Sequence, residues 1–296
     1  MKYVFVVNSQ PEKAKVFGIL QKRLEPYKGL VEYELYRTKE RRDATLFVQQ
    51  YCDSCPDGQI CFVACGGDGT INEVASALVG RSNKYLAVIP FGSGNDFIKY
   101  YPDKDFTDLK KLFEGSSKPI DIMKVNGFYS INICNFGFDA KVAAVANRIS
   151  ERGGKNSYRW GIVNALFTSR FNRIRVEVDG EQISREKMLL CTLSNNRYVG
   201  GEFCCAPKAL NDDGLIDVCL CHCVSLWRFI RLVKEYRDGH HLDNPKFRKI
   251  LVYRQSKHIR ISSDRAIDLC LDGEIVSGTV FQVDIMERAV NLIIPS

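Results

Sequence analysis

Through roughly the first 120 residues, short uninterrupted apolar runs alternate with stretches in which apolar positions recur every three or four residues. A parallel sheet covered by helices on both faces demands that pattern, because strands buried on both faces have no polar side to show. Val4 to Val7 reads as the first strand. Val16, Leu20, Leu24 and Tyr27 give a first helix its apolar stripe, and Ala44, Phe47, Val48 and Tyr51 give a second. Both stripes belong to the core. Ile60 to Cys65 and Leu86 to Ile89 read as buried strands, each ending in a glycine-rich turn. Those turns therefore fall at the carboxyl edge of one sheet, where open α/β folds bind ligands, and are expected to line one crevice. A helix from Ile71 to Val79 follows the first turn.

After about residue 124 the texture changes to strict alternation at Ile174, Val176 and Val178. Asp179-Gly180 then marks a tight hairpin before the run Met188 to Leu193. Two helical patterns interrupt this β texture. One spans Ala140 to Ile149; the other places Leu226, Phe229, Ile230 and Val233 behind a cap at Ser225. Short strands are expected from Ile250 onward. The fold class expected is α/β: a Rossmann-like parallel-sheet domain over 1–123, then a larger, mainly antiparallel β-sandwich domain over 124–284. The two join near residues 118 to 126, a strand at about 285–296 is expected to return to the first domain, and the active-site cleft is expected between them.

Composition narrows the class without changing the fold. A chain of 296 residues with 45% apolar and 26% charged positions is ordinary for a globular protein of two domains. No apolar run approaches the roughly 20 residues of a spanning helix, and no secretory segment opens the chain, so a cytoplasmic protein is expected. The twelve cysteines then read as reduced thiols that pack as small hydrophobes. A formal charge of +7 fits either an anionic partner, such as ATP or acidic lipid, or simple solubility; no motif supports nucleic acid.

The chemistry concentrates in three turns. In Gly66-Gly67-Asp68-Gly69-Thr70 the glycines let backbone amides approach a phosphate, and the following helix turns its positive end to the same place. Asp68 would repel phosphate and is better suited to hold magnesium through water. Gly92-Ser93-Gly94-Asn95-Asp96 repeats the device, with a second carboxylate at the matching sheet edge. Leu271-Asp272-Gly273-Glu274 reads either as a plain hairpin turn or as a proton acceptor, Asp272, beside a metal-holding Glu274. Asp212-Asp213-Gly214-Leu215 is likewise either an acidic turn or an oxygen-lined magnesium loop.

Taken together these segments resemble the diacylglycerol kinase catalytic domain family, which also holds sphingosine kinases and soluble bacterial lipid kinases. The resemblance rests on Gly66 to Thr70 followed by Asn72-Glu73-Val74, and on Gly92 to Phe97 with Ser93 where threonine is commoner. It extends through Asp121 to Gly127, Asn132, Gly137-Phe138-Asp139-Ala140, Gly200-Gly201, Asp212 to Asp217 and Asp272-Gly273-Glu274. It implies a lipid kinase using ATP and magnesium, with a water-mediated metal network at Asp68, Asp96 and Glu274 and Asp272 as general base. By the same resemblance Thr38 is a phosphate contact, and Asp212, Asp213 and the Leu215 carbonyl hold a structural magnesium. Asn8-Ser9-Gln10-Pro11-Glu12 lacks the family's loop glycine, so Asn8 alone is carried over as a nucleotide contact.

A lipid alcohol is the implied substrate, diacylglycerol first, met at a transient anionic membrane surface by a peripheral protein; a homodimer is left open. Two basic helical stretches read by default as solvated faces, one of which is a candidate to dock there: Arg228, Arg231, Lys234 and Arg237, and Lys155, Arg159, Arg170 and Arg173 around Trp160, Leu166 and Phe167. Cys219, Cys221 and Cys223 read as core thiols rather than zinc ligands, since strand alternation throws His222 to the other face. His240-His241 reads as solvated. Two rivals stand beside the lipid kinase: an NAD kinase-like phosphotransferase, which needs neither Gly92 to Asp96 nor Asp272-Gly273-Glu274, and a non-catalytic lipid- or nucleotide-binding module, disfavoured by the intact carboxylates.

Overall fold

The computed structural model describes residues 1–8, 14–137, 174–184 and 188–296. Several expectations fall outside those residues: the loop at 9–13, Phe138-Asp139-Ala140, the helix from Ala140 to Ile149, and the basic stretch around Trp160. The described chain separates into two compact units, Met1–Ile122 with Met286–Ser296, and Met123–Ile285.

In chain order the first unit carries β1 Lys2–Val7, α1 Ala14–Leu24, β2 Tyr33–Arg37, α2 Asp43–Ser54, β3 Ile60–Gly66, α3 Asp68–Leu78, β4 Lys84–Pro90, α4 Leu109–Phe113 and most of β5 Ser116–Val125. Its strands run parallel in the order β2-β1-β3-β4. Asn291 and Leu292 add a further parallel rung opposite Tyr85 and Leu86 of β4. Every residue of β3 is buried, the signature of a central strand covered on both faces. Phe5, Cys61, Val63 and Ala87 meet Val16, Leu20 and Leu24 of α1 on one face. Toward the other, Phe62 takes the edge of Tyr51 from α2, while Phe47 stacks on Tyr36 with ring centroids 3.5 Å apart. Lys84 is buried because its ammonium donates to the carbonyls of Pro56 at 2.9 Å and Gly58 at 2.7 Å, pinning the turn that follows α2.

The second unit continues with β6 Phe128–Ser130, β7 Ile133–Gly137, β8 Ile174–Val178, β9 Glu181–Gln182, β10 Met188–Ser194, β11 Tyr198–Val199, β12 Phe203–Cys204, β13 Ile216–His222, α5 Leu226–Arg237, β14 Leu251–Ser256, β15 His258–Leu271 and β16 Glu274–Ile294, the last reaching into the first unit. Its main sheet is antiparallel in the order β14-β13-β10-β7-β15-β16. Strand alternation splits the side chains into two cores. Cys134, Phe136, Cys191, Val218, Ile261 and Phe281 share one. Ile133, Leu190, Cys219, Cys221, Leu232 and Tyr236 share the other, under α5. The β8–β9 hairpin turns through Asp179 and Gly180, both at positive φ of 51° and 82°, as a two-residue turn in this twist requires.

Three expectations are corrected here. The strands after Ile250 are not short: β15 has 14 residues and β16 has 21. A register shift between Ser262 and Ile267 explains it, letting β15 pair with β8 before the shift and with β7 after it. Ile230 does not join the buried stripe of α5; it is 56% exposed, while Leu232 and Tyr236 are buried. His241 is not solvated. It is buried, lies tilted against Tyr236 with ring centroids 4.5 Å apart and sits 3.2 Å by Nε2 from the Cys205 carbonyl, and burial lowers its pKa to about 4. His240 is the exposed member of the pair.

Candidate active site

The first glycine loop is the opening turn of α3 itself. Gly67 lies in extended backbone (φ −99°, ψ −169°) as N-cap, and its carbonyl accepts the Thr70 and Ile71 amides, so the helix begins at Asp68, three residues before the expected start. A side chain at Gly66 would fall 2.3 Å from the Thr70 hydroxyl. That hydroxyl accepts a hydrogen bond from Asn8 Nδ2 at 2.9 Å, which ties the end of β1 to the loop. Thr38, buried at the end of β2, donates its amide to the Val7 carbonyl.

The second loop lies directly against the first. The Phe91 amide donates to the Gly66 carbonyl at 2.8 Å, and a Cβ built on Gly92 would meet Gly67 Cα at 2.5 Å. Only glycine permits that approach. Asn95, at φ 50°, closes the turn with its own side chain, accepting the Gly92 amide and donating to the Gly92 carbonyl. Ser93 is exposed at the tip, and Gly69 has open space where a side chain would stand.

Asp68 and Asp96 flank Gly94. A Cβ there would lie 3.2 Å from Asp68 Oδ2 and 3.5 Å from Asp96 Oδ2. Each carboxylate gives its other oxygen to a protein donor: Asp68 Oδ1 accepts the Phe97 amide at 2.9 Å, and Asp96 Oδ1 pairs with Lys99 Nζ at 2.6 Å. Burial pushes the Asp68 carboxyl above the usual carboxylate range; the Asp96 charge adds to this, and the amides of Phe97 and Asp96 oppose it. Two hard oxygen donors turned to one point, beside a helix N-terminus, suit water-mediated magnesium and phosphate. Among the described residues, no three His, Cys, Asp or Glu side chains are grouped to grip a bare ion. Lys99 was not singled out from the chain; its place three residues after Asp96 was the available signal.

In the second unit Asp272 and Gly273, at φ 46° and 91°, form the two-residue turn between β15 and β16. The Asp272 carboxylate folds back onto the segment entering β7. Its Oδ2 accepts from Ser130 Oγ and the Ile131 amide, both at 2.9 Å, and from the Asn132 amide at 3.2 Å; its Oδ1 accepts from the Ile133 amide at 2.8 Å. Such charge-assisted bonds fix the orientation of the carboxylate. Glu274 opens β16, opposite Leu271.

Asp212 and Asp213 are exposed, and Asp213 Oδ1 caps its own turn by accepting the Leu215 amide at 3.0 Å. The buried acid nearby is Asp217, held by the hydroxyl of Tyr253 and by Gln255 at 3.5 Å, with burial raising its pKa. Cys219 and Cys221 pack in the core under α5.

The fold and the paired glycine loops define a kinase of the lipid-phosphorylating class, and comparison with known proteins agrees. The diacylglycerol kinase catalytic domain matches residues 2–125, and the YegS C-terminal NAD kinase beta sandwich-like domain matches 132–294. The chain belongs to the diacylglycerol kinase catalytic domain family. It is 32% identical over 218 residues to a diacylglycerol kinase of Bacillus subtilis, covering 72% of this chain and 70% of that protein. It is 29% identical over 247 residues to a diacylglycerol kinase of Staphylococcus aureus, covering 82% and 76%. The crystal structure of a diacylglycerol kinase from Bacillus anthracis shares the fold, with a TM-score of 0.71 at 20% identity over 99% of this chain and 96% of that one.

Proposed function

We propose that this lipid kinase transfers the γ-phosphate of ATP, with magnesium, to the hydroxyl of a lipid alcohol, diacylglycerol giving phosphatidic acid. The observation that carries the reading is the contact of the two glycine loops, with Asp68 and Asp96 turned toward Gly94. Backbone amides at Gly66 to Thr70 and the N-terminus of α3 bind the phosphates; Asn8 and Thr38 border the nucleotide, and Ser93, Gly94 and Asn95 complete its cradle. Magnesium, when bound, would offset charge on the transferred phosphoryl group, held through water by Asp68, Asp96 and Glu274. Asp272 takes the proton of the lipid hydroxyl. Three of the donors on that carboxylate reach Oδ2, so Oδ1 is the oxygen assigned to receive it. The proposal therefore requires the Asp272 turn to reach the bound nucleotide.

Asp212, Asp213 and the Leu215 carbonyl are proposed as a separate structural magnesium loop, suited by oxygen donors alone. No helix among the described residues is long and apolar enough to cross a membrane, and the proposed substrate is met at an anionic bilayer surface. The test is transfer of label from γ-labelled ATP to a panel of diacylglycerol, monoacylglycerol, ceramide, a sphingoid base, phosphatidylglycerol and NAD. Magnesium-dependent labelling of diacylglycerol is expected. Label confined to NAD, or to no acceptor, overturns the proposal.

A further inference from the structure

Helix α5 buries Phe229 in part and Leu232 and Tyr236 fully, and turns its opposite side outward. On that outward side Trp227, Ile230, Arg231 and Lys234 fall at i, i+3, i+4 and i+7, one continuous helical face. Trp227 is 81% exposed and Ile230 56% exposed, so two large apolar side chains stand in water with basic residues between them. Large apolar side chains grouped on one exposed face are the kind of feature from which interaction surfaces are built.

Basic side chains predominate on the helix and on the loop that follows it. Arg228 donates to the Lys246 carbonyl at 3.0 Å, which brings the loop after α5 alongside the helix. Lys246, Arg248 and Lys249 on that loop are all exposed. The acids on the helix and that loop have partners: Glu235 lies 3.5 Å from both Asn244 and His240, Asp238 pairs with Arg237 at 3.0 Å, and Asp243 pairs with Lys208 at 3.1 Å.

Accepting the lipid kinase reading, we infer that this face of α5 is the surface by which the protein seats on an anionic phospholipid bilayer. Trp227 and Ile230 enter the headgroup layer, and Arg231, Lys234 and the 246–249 loop pair with lipid phosphates. An indole is suited to that depth because its ring is apolar and its N–H still finds a polar partner. Basic residues add attraction that falls off within a Debye length, so the seating is salt-sensitive and reversible.

The experiment uses the full chain and vesicles of phosphatidylcholine with or without about one third phosphatidylglycerol. Partition onto the anionic vesicles is expected to fall about 10-fold in Trp227→Ala and by at least as much in the Arg231→Glu/Lys234→Glu pair. Trp227→Phe is expected to keep most of it. Because Trp227 is exposed, its truncation should leave folding and the phosphorylation of a short-chain diacylglycerol in free solution unchanged. With Trp160 replaced by Phe, the emission of Trp227 should shift to the blue on anionic vesicles only. Unchanged partition in the alanine and charge-reversed proteins, or no spectral shift, overturns the inference. Failure of the parent to phosphorylate any lipid alcohol in solution, with partition behaving as stated, overturns the kinase reading instead.

Discussion

Asp272→Asn separates the chemical duty proposed for this carboxylate from its structural one. The replacement keeps one acceptor oxygen and turns the other position into a donor. If the amide oxygen takes the place of Oδ2, the donors from Ser130, Ile131 and Asn132 keep a neutral partner and the Ile133 amide faces an N–H group. One charge-assisted bond is lost and three are weakened, a cost of about 2–4 kcal/mol. In a chain of this size that lowers Tm by about 3–6 °C. At a temperature well below that transition, ATP binding should hold within about threefold while kcat falls at least about 100-fold, the scale of general-base loss. Ser130→Ala is the control, because it removes one donor and leaves the carboxylate: about 1 kcal/mol of stability and less than about fivefold in kcat. Lipid phosphorylation with labelled ATP and thermal unfolding of the same preparations provide both readouts. A folded Asp272→Asn protein within about tenfold of parent turnover, or an equal loss in Ser130→Ala, would falsify the assignment.

Two further perturbations test the glycine loops and the buried histidine. Gly92→Ala places a methyl group 2.5 Å from Gly67 Cα, backbone that cannot swing aside, so ATP affinity should drop at least about 10-fold. Gly69→Ala meets open space and should change stability by less than about 1 kcal/mol; equal nucleotide affinity in Gly92→Ala and parent refutes the packing argument. His241, with a folded pKa of about 4, stays neutral inside its cage of Tyr236, Phe247 and the Cys205 carbonyl, with Asp243 and His240 as its titratable neighbours. Its unfolded form takes a proton below about pH 6.5, so stability present at neutral pH is lost as pH falls toward 4, by about 3 kcal/mol in all. Urea midpoints across that window should fall more steeply for the parent than for His241→Gln, and parallel curves would refute the claim.

The first sheet was legible because continuous apolar runs admit few placements. Ile60 to Cys65 can be little else than a strand buried on both faces, and β3 is that. The Asp179-Gly180 hairpin was equally readable from local turn chemistry. The face of α5 was not. Beside Phe229 and Val233, Ile230 satisfies the helical spacing as well as Leu232 and Tyr236 do, and only the sheet beneath decides which goes under. Burial of His241 depends likewise on Cys205 and Phe247, which are distant in sequence from each other. The grip of Ser130 on Asp272 spans 142 positions, and no periodicity registers a bond of that reach. The turn at Asp272-Gly273 could be read from its residues, but where its carboxylate points could not.

The final rung of the first unit's sheet, Asn291 and Leu292 against β4, has a consequence for how the protein is made. Residues 286–296 leave the ribosome only after the whole of 123–285 has been translated, so β4 emerges long before its last neighbour exists. Until then the nascent first unit presents an unpaired, apolar strand edge, the kind of surface that chaperones recognise and that seeds aggregation. An isolated fragment 1–122 should share that liability permanently, whatever ATP is supplied to it.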